Sequence, residues 1–299
     1  MRITDLLFDF HVPFSDQGHK HCKPGWINTE CPFCSGNPGL HLGYNLQQDY
    51  FHCWRCGAKN TGKTLSKLLG VPLPQVKVLI REYGGRTKQK PQLNVRIRRK
   101  AFRLPTPIDK MENQHRVYLM KRGFVPSRLE RDWGLLGTGP IAELDGKDYK
   151  HRIIAPIFWE GKMVSFQGRA ISDRASLKYK ACPKDRELIL HQEILYIHPD
   201  HPGGVGICVE GITDVWRFGK IAFGVFGIDF TRPQVRAIAK RFNRVAVIFD
   251  DDPQAVTQAN KLVDELRFRR VDAFRVDIKG DPGAMKQTNA DLLIKEVLG

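Results

Sequence analysis

Two C-x-x-C hooks constrain this chain more than any other feature. Cys31-Pro-Phe-Cys34 and Cys53-Trp-Arg-Cys56 stand with eighteen residues between them. Each hook turns two thiolates toward one point, and a pair of hooks completes the tetrahedral shell that Zn2+ takes from four sulfurs. A redox dithiol needs a single hook, and buried structural cysteines show no paired spacing. Four thiolates leave no open coordination position, so the zinc predicted at Cys31, Cys34, Cys53 and Cys56 is structural. His41 and His52 lie near the hooks but are assigned to the surface or to packing, since four cysteines are at hand. Between the hooks, Leu40, Leu42, Tyr44, Tyr50 and Phe51 alternate with polar residues as in a small antiparallel ribbon. Its exposed aromatics, with Arg55 and Lys59, offer stacking faces and charge to single-stranded bases, while Phe51 is assigned to packing.

The other three cysteines are Cys22, Cys182 and Cys208, which makes an odd total of seven clustered toward one end. That usage fits metal ligation in a reducing compartment better than a disulfide framework. No run of eighteen apolar residues occurs, and the amino terminus MRITDLLFDFHVPF lacks both a basic leader and a cleavage site, so a soluble cytoplasmic protein with no membrane partner is expected. With 48 Lys and Arg against 32 Asp and Glu, the net charge of +16 favours a polyanionic partner, whose counterions are released on binding.

A small domain is expected over residues 1–83. Its last stretch turns helical, with Leu65, Leu68, Leu69, Val76, Val78 and Leu79 in an apolar rhythm interrupted by Pro72 and Pro74. Residues 84–107 contain eight Lys or Arg and no acid, the composition of a flexible basic linker. An α/β region follows. It has a helix around ENQHRVYLMKRG and strands RIIAPIFW and MVSFQGRAI; after residue 205 strands and helices alternate regularly, which implies a largely parallel sheet covered by helices.

Glu210 ends the apolar strand GICVE, and Asp250, Asp251 and Asp252 end the strand RVAVIFD. In a parallel sheet the carboxyl ends of strands share one edge, so these acids converge. Clustered carboxylates repel one another until a cation neutralises them. Hard oxygen donors favour Mg2+ or Mn2+, and phosphoryl transfer is the natural chemistry. Side chains alternate along an extended chain, so Asp250 and Asp252 are the expected ligands beside Glu210, with Asp251 solvated. Asp214 follows Glu210 by one helical turn and joins the cluster, and Asp281 in KGDPG is a further carboxylate.

With both constellations in view, the chain resembles bacterial-type DNA primases and their phage or plasmid relatives over most of its length. CPFC and FHCWRCG look like the family's zinc-binding ribbon, VEGITDVWRFG and VIFDDDPQA like the two signatures of the Toprim domain, and KGDP like its later acidic motif. YLMKRGF, RIIAPIF, FQGRAI and LKYKACP resemble the basic half of the polymerase core. The resemblance implies an α/β Toprim-containing primase polymerase core preceded by a small β zinc-ribbon domain. It divides the chain into a zinc-binding ribbon domain at 1–83, a linker at 84–107, a basic N-terminal subdomain of the RNA polymerase core at 108–204 and a Toprim subdomain at 205–299. By position, template and nucleotide contacts pass to Arg122, Arg169, Lys178 and Tyr179, with Arg152 as a further candidate. The sequence departs from the family at Ala181, Gln192 and Asp251, where asparagine, lysine and glycine are usual; Lys180 and Lys184 offer replacement charge near the first of these.

The implied activity is that of a DNA-directed RNA polymerase making short primers from nucleoside triphosphates on single-stranded DNA, by nucleotidyl transfer at two divalent ions. TGKT at 61–64 lacks the first glycine of a phosphate-binding loop, so a replicative helicase is expected only as a separate partner. The competing readings are a Toprim-type metal-dependent nuclease and a non-catalytic zinc-ribbon protein that binds single-stranded DNA. The KYK and QGR motifs weigh against the first and the complete acidic set against the second.

Overall fold

Asn60, through its side chain, and Gly70, through its backbone freedom, bracket a helix. In the computed structural model, which describes residues 1–16, 22–34, 39–84, 100–172 and 175–299, the Asn60 side chain accepts from Lys63 N at the start of the helix Thr61–Leu69. Gly70 closes that helix at φ +66°, a left-handed conformation that glycine adopts without steric cost. Pro72 caps the next helix, Leu73–Tyr83, and Pro74 lies in its first turn, where no backbone N–H is lost. The two prolines thus separate two helices, and Leu65, Leu69, Val76 and Leu79 form their buried sides.

These helices end the first of two units, Met1–Val95 and Arg96–Gly299. Before them come the helix Ile3–Asp9 and a sheet of five strands paired antiparallel in chain order: Phe14–Ser15, Trp26–Thr29, Leu42–Asn45, Tyr50–Cys53 and Gly57–Lys59. Alternation along Tyr50–Cys53 buries Phe51 and Cys53 and leaves Tyr50 and His52 half-buried on the other face. Phe51 packs on buried Tyr44 with ring centroids 4.7 Å apart, and burial of such a side chain contributes about 1.5–3 kcal/mol. The assignment of Phe51 to packing therefore holds. Tyr44, read with the exposed aromatics, is instead buried, its hydroxyl donating to Asp49.

The second unit combines two larger sheets with a short antiparallel pair, Glu143–Leu144 and Lys147–Asp148. Arg152–Trp159 and Lys162–Ala170 form a long hairpin, flanked by Leu136–Gly137 and Tyr179–Ala181, all antiparallel. The other sheet has the order Tyr196–Ile197, Ala222–Gly224, Gly204–Val209, Phe242–Val247, Asp272–Arg275, parallel except at its first edge. The pleat sends Ile207, Val209 and Ala246 to one core, beneath the helices Ile212–Phe218 and Gln287–Leu298. Cys208, Val245 and Val247 point to the other, beneath Arg232–Arg241 and Pro253–Phe268. Burial on both faces explains why these strands read as unbroken apolar runs.

The linker expected at 84–107 is corrected at its carboxyl end. Residues 85–99, including Arg98 and Arg99, lie outside the described residues. Residues 100–107, however, are docked on the second unit. Lys100 N donates to Asp185 O at 2.7 Å, Phe102 and Leu104 pack on a buried cluster, and Thr106 bridges Glu143. Apolar burial of Phe102 and Leu104 outweighs the basic composition. The Lys100 ammonium lies 3.1 Å from Asp145 and 3.0 Å from Asp185. Lys100→Ala is accordingly expected to leave unchanged the slope of nucleic-acid affinity against salt; a shallower slope in a filter-binding titration would show that Lys100 meets phosphate instead.

Candidate active site and metal centre

Past the ends of the parallel strands, the polypeptide turns bring four carboxylates together. Glu210 follows the strand Gly204–Val209, and its carboxylate accepts from Asp250 N at 2.8 Å. Asp214, in the first turn of the helix Ile212–Phe218, is buried and accepts from Gly211 N at 2.8 Å and Thr213 Oγ1 at 3.2 Å. Asp281 accepts from Gly283 N at 2.7 Å. A Cβ on Gly283 would stand 2.6 Å from Asp214 Oδ1, so glycine is required where this turn meets the helix. Glu210, Asp214, Asp250 and Asp281 all line one cavity of about 270 Å3.

The opposite charge in the lining comes from the antiparallel sheet, the residue just before its edge strand and the turn after the helix Asn113–Lys121. Arg122, Arg169, Lys178 and Tyr179 line the same cavity, so the structure brings together all four predicted basic and aromatic residues. Arg169 and Tyr179 are paired across neighbouring strands. The Arg169 guanidinium lies 4.6 Å from the Tyr179 ring centroid and donates from Nε to Tyr118 Oη at 2.8 Å. Its Nη1 is buried and has no partner among the described residues. Tyr179 Oη is 2.8 Å from Thr213 Oγ1, and burial pushes its hydroxyl up to about 12. Arg122 reaches Asp281 at 3.6 Å.

Within the aspartate triplet the structure discriminates. Asp250 lines the cavity. Asp252 caps the helix Pro253–Phe268, accepting from Gln254 N at 2.9 Å and Ala255 N at 3.0 Å. Asp251 is exposed and accepts from Gly280 N at 2.9 Å. The strand ends at Val247, before the triplet begins, so the period of two does not set the direction of these three side chains. Asp252 stays in electrostatic reach, for its charge helps to raise the pKa of both Glu210 and Asp250. Arg152 lies away from the cavity lining, with its guanidinium buried against the carbonyls of Gly168 and Leu177. Lys180 donates to Asp148 O, and Lys184 is exposed; neither lines the cavity.

Sequence reasoning missed Tyr118, Gln167, Thr213 and Phe226. Gln167 had a signal, since it precedes Arg169 by two residues on one strand face. Phe226 had none: it adopts φ +66°, a conformation that bulky side chains resist.

Burial first, then the charges of neighbouring aspartates, push Glu210 and Asp214 up to about 7, and Asp250 is raised for the same reasons. Backbone donation from Asp250 N to Glu210 and from Gly211 N to Asp214 opposes the rise without cancelling it. A carboxyl whose pKa is raised on folding stabilises the fold below its unfolded pKa of about 4, and that contribution is lost as pH rises through about 7. Without divalent ions the melting temperature is therefore expected to fall from about pH 5 to about pH 8. Mg2+ should restore much of the loss at the upper end and little at the lower, because protons compete with it. Melting curves with and without Mg2+ that run parallel across this range would refute a carboxylate cation site.

In the first unit, the Sγ atoms of Cys31, Cys34, Cys53 and Cys56 all lie within 4.8 Å of one another. The closest approaches are 3.7 Å for Cys31 to Cys56, 3.6 Å for Cys34 to Cys53 and 3.2 Å for Cys34 to Cys56. A tetrahedron with metal–sulfur bonds of about 2.3 Å has sulfur–sulfur edges of about 3.8 Å, so the donor set fits Zn2+. Burial pushes the Cys53 thiol up, but hydrogen bonds from the Cys56 and Arg55 backbone and from the Cys56 and Cys34 thiols together bring it to about 7, while the Cys31 and Cys34 thiols are raised, Cys31 chiefly by burial and Cys34 chiefly by its bond to Cys56. His41 and His52 lie outside this cluster. Beside it, the exposed Trp54 ring has its centroid 5.1 Å from that of Trp26 and 5.0 Å from that of His52, with Tyr50 edge-on to Trp26.

The architecture matches solved primases. The whole chain aligns with 82% of the zinc-binding and RNA polymerase domains of the Aquifex aeolicus primase, at TM-score 0.54 and 17% identity. Over 62% of its length it matches 71% of the DnaG primase catalytic domain bound to ssDNA, at TM-score 0.54 and 16% identity. The same share matches 70% of a DNA primase domain from Pseudomonas aeruginosa, at TM-score 0.51 and 17% identity. No protein-family model and no curated protein matches the chain. The fold is thus that of primase zinc-binding and polymerase domains, with an antiparallel sheet carrying four clustered cysteines ahead of an α/β core.

Proposed function

We propose that this chain is a DNA primase, a nucleotidyltransferase that joins ribonucleotides into short primers on single-stranded DNA. The observation that carries this reading is one cavity lined both by acids that follow the parallel strands and by Arg122, Arg169, Lys178 and Tyr179. That opposition suits a substrate whose triphosphate is anionic and whose reaction needs divalent cations.

Glu210, Asp250 and Asp281 are the residues assigned to Mg2+ or Mn2+, with Asp214 buried behind them and Asp252 contributing charge from the helix cap. The donor chemistry suits such ions, because Glu210, Asp250 and Asp281 bring hard carboxylate oxygens to one cavity. Bound ions would offset triphosphate charge and lower the pKa of an attacking hydroxyl. Arg169 lends its guanidinium charge to phosphate oxygens in the cavity it lines, Tyr179 stacks on that guanidinium, and Arg122 and Lys178 complete the subsite for anions.

The zinc assigned to the four cysteines fixes the ribbon, whose Trp26, Tyr50, His52 and Trp54 face is the proposed platform for template bases. No helix of the described residues is long and apolar enough to cross a membrane. A replicative helicase is proposed as a separate partner.

The test is incorporation of labelled ribonucleotide on a panel of unprimed single-stranded DNAs with Mg2+ or Mn2+. Template-dependent products a few nucleotides long are expected. Shortening of labelled DNA without incorporation would replace the proposal with a nuclease, and binding alone would replace it with a recruiter.

A further inference from the structure

The largest fully buried side chains include that of Arg217, which is 1% exposed. Burying a guanidinium is costly unless its donors find acceptors. Arg217 donates from Nη2 to Arg122 O at 2.6 Å and Gly283 O at 3.2 Å. From Nη1 it donates to Gly123 O at 3.3 Å and Gln287 Oε1 at 3.2 Å. The guanidinium carbon also lies 4.1 Å from the Phe124 ring centroid. All four acceptors are neutral, so direct ion pairing does not explain a cation here.

The position of the acceptors does. Arg122 and Gly123 belong to the turn that closes the helix Asn113–Lys121, and Gly283 to the turn that begins at Asp281. These turns are far apart in sequence, and each carries one charged side chain of the cavity. Arg217 joins them from beneath, while Arg122 and Asp281 face each other above at 3.6 Å. The planar fork of arginine serves several acceptors at once, which the single ammonium of lysine does not.

We infer that Arg217 is a positioning residue for the proposed reaction: it holds Arg122 at the cavity and thereby sets the affinity for a nucleoside triphosphate that it does not touch. This inference rests on the nucleotide role proposed for Arg122. A merely structural Arg217 would lower stability without acting through Arg122.

A double-mutant cycle separates the two. Binding of a ribonucleoside triphosphate with Mg2+ is measured by calorimetry, and melting temperature is recorded in parallel, for Arg217→Met, Arg122→Ala and the double variant. Arg217→Met is expected to weaken binding about tenfold in the wild-type background and not at all in the Arg122→Ala background, while the loss of melting temperature is the same in both. Arg217→Lys keeps the charge but not the fork and should follow Arg217→Met; it carries the same cycle if the methionine variant does not fold. Unchanged affinity in Arg217→Lys, or the same fold loss with and without Arg122, overturns the inference alone. Unchanged affinity in Arg122→Ala strikes the nucleotide role of Arg122 itself, and the inference with it.

Discussion

Asp250→Asn is expected to abolish primer synthesis while leaving the protein folded and bound to its template. The side chain lines the cavity, whereas the contact from Asp250 to Glu210 runs through the Asp250 backbone N–H, which the substitution preserves. Loss of one charged ligand from a catalytic cation site removes about 3–4 kcal/mol of transition-state stabilisation, or about 10^2–10^3 in rate. Template affinity should hold or rise slightly, because a negative charge is removed near the path of a polyanion. Glu210→Gln should behave alike. Asp252→Asn should lose less than either, since asparagine caps a helix as well as aspartate and the side chain lies outside the cavity lining. Asp251→Asn should be mild. Dinucleotide synthesis assayed beside template binding gives the ranking, and near-normal synthesis by both Asp250→Asn and Glu210→Gln would end the polymerase reading.

Cys53→Ser, or removal of the metal by a chelator, is expected to unravel the ribbon without touching the α/β core. Structural zinc contributes on the order of 10–16 kcal/mol in small cysteine-rich modules, as much as the whole stability of many domains. Cys53 is buried, pairs with Leu42 and Gly57 across the sheet and belongs to the four-sulfur cluster, so its loss frees both hooks and the strands between them. Hydrogen exchange should rise across residues 39–60, while the strands Gly204–Val209 and Phe242–Val247 keep their protection because their core is built from other segments. Elemental analysis of chelator-free protein should give one zinc per chain. Protein without zinc that retained a protected ribbon would show that the sheet stands on its apolar contacts alone.

Sequence spacing by itself determined the cysteine cluster, because two hooks have few ways to close except around a common point. Sequence alternation likewise determined the parallel sheet, since strands buried on both faces and separated by amphipathic helices have few other solutions. The approach of Glu210, Asp214, Asp250 and Asp281 followed from that topology, as strand ends must share an edge. Which aspartate of the triplet faces the cavity did not follow, because the triplet lies beyond Val247 in a turn, where the period of two no longer governs side-chain direction. The docking of residues 100–107 was hidden for a related reason: their basic composition says nothing of the apolar seat that receives Phe102 and Leu104. Arg217 was invisible too. Its acceptors at residues 122, 123, 283 and 287 meet only when the helix Ile212–Phe218 is packed beneath two distant turns, and no local pattern announces a cation whose partners are backbone carbonyls brought together by the fold.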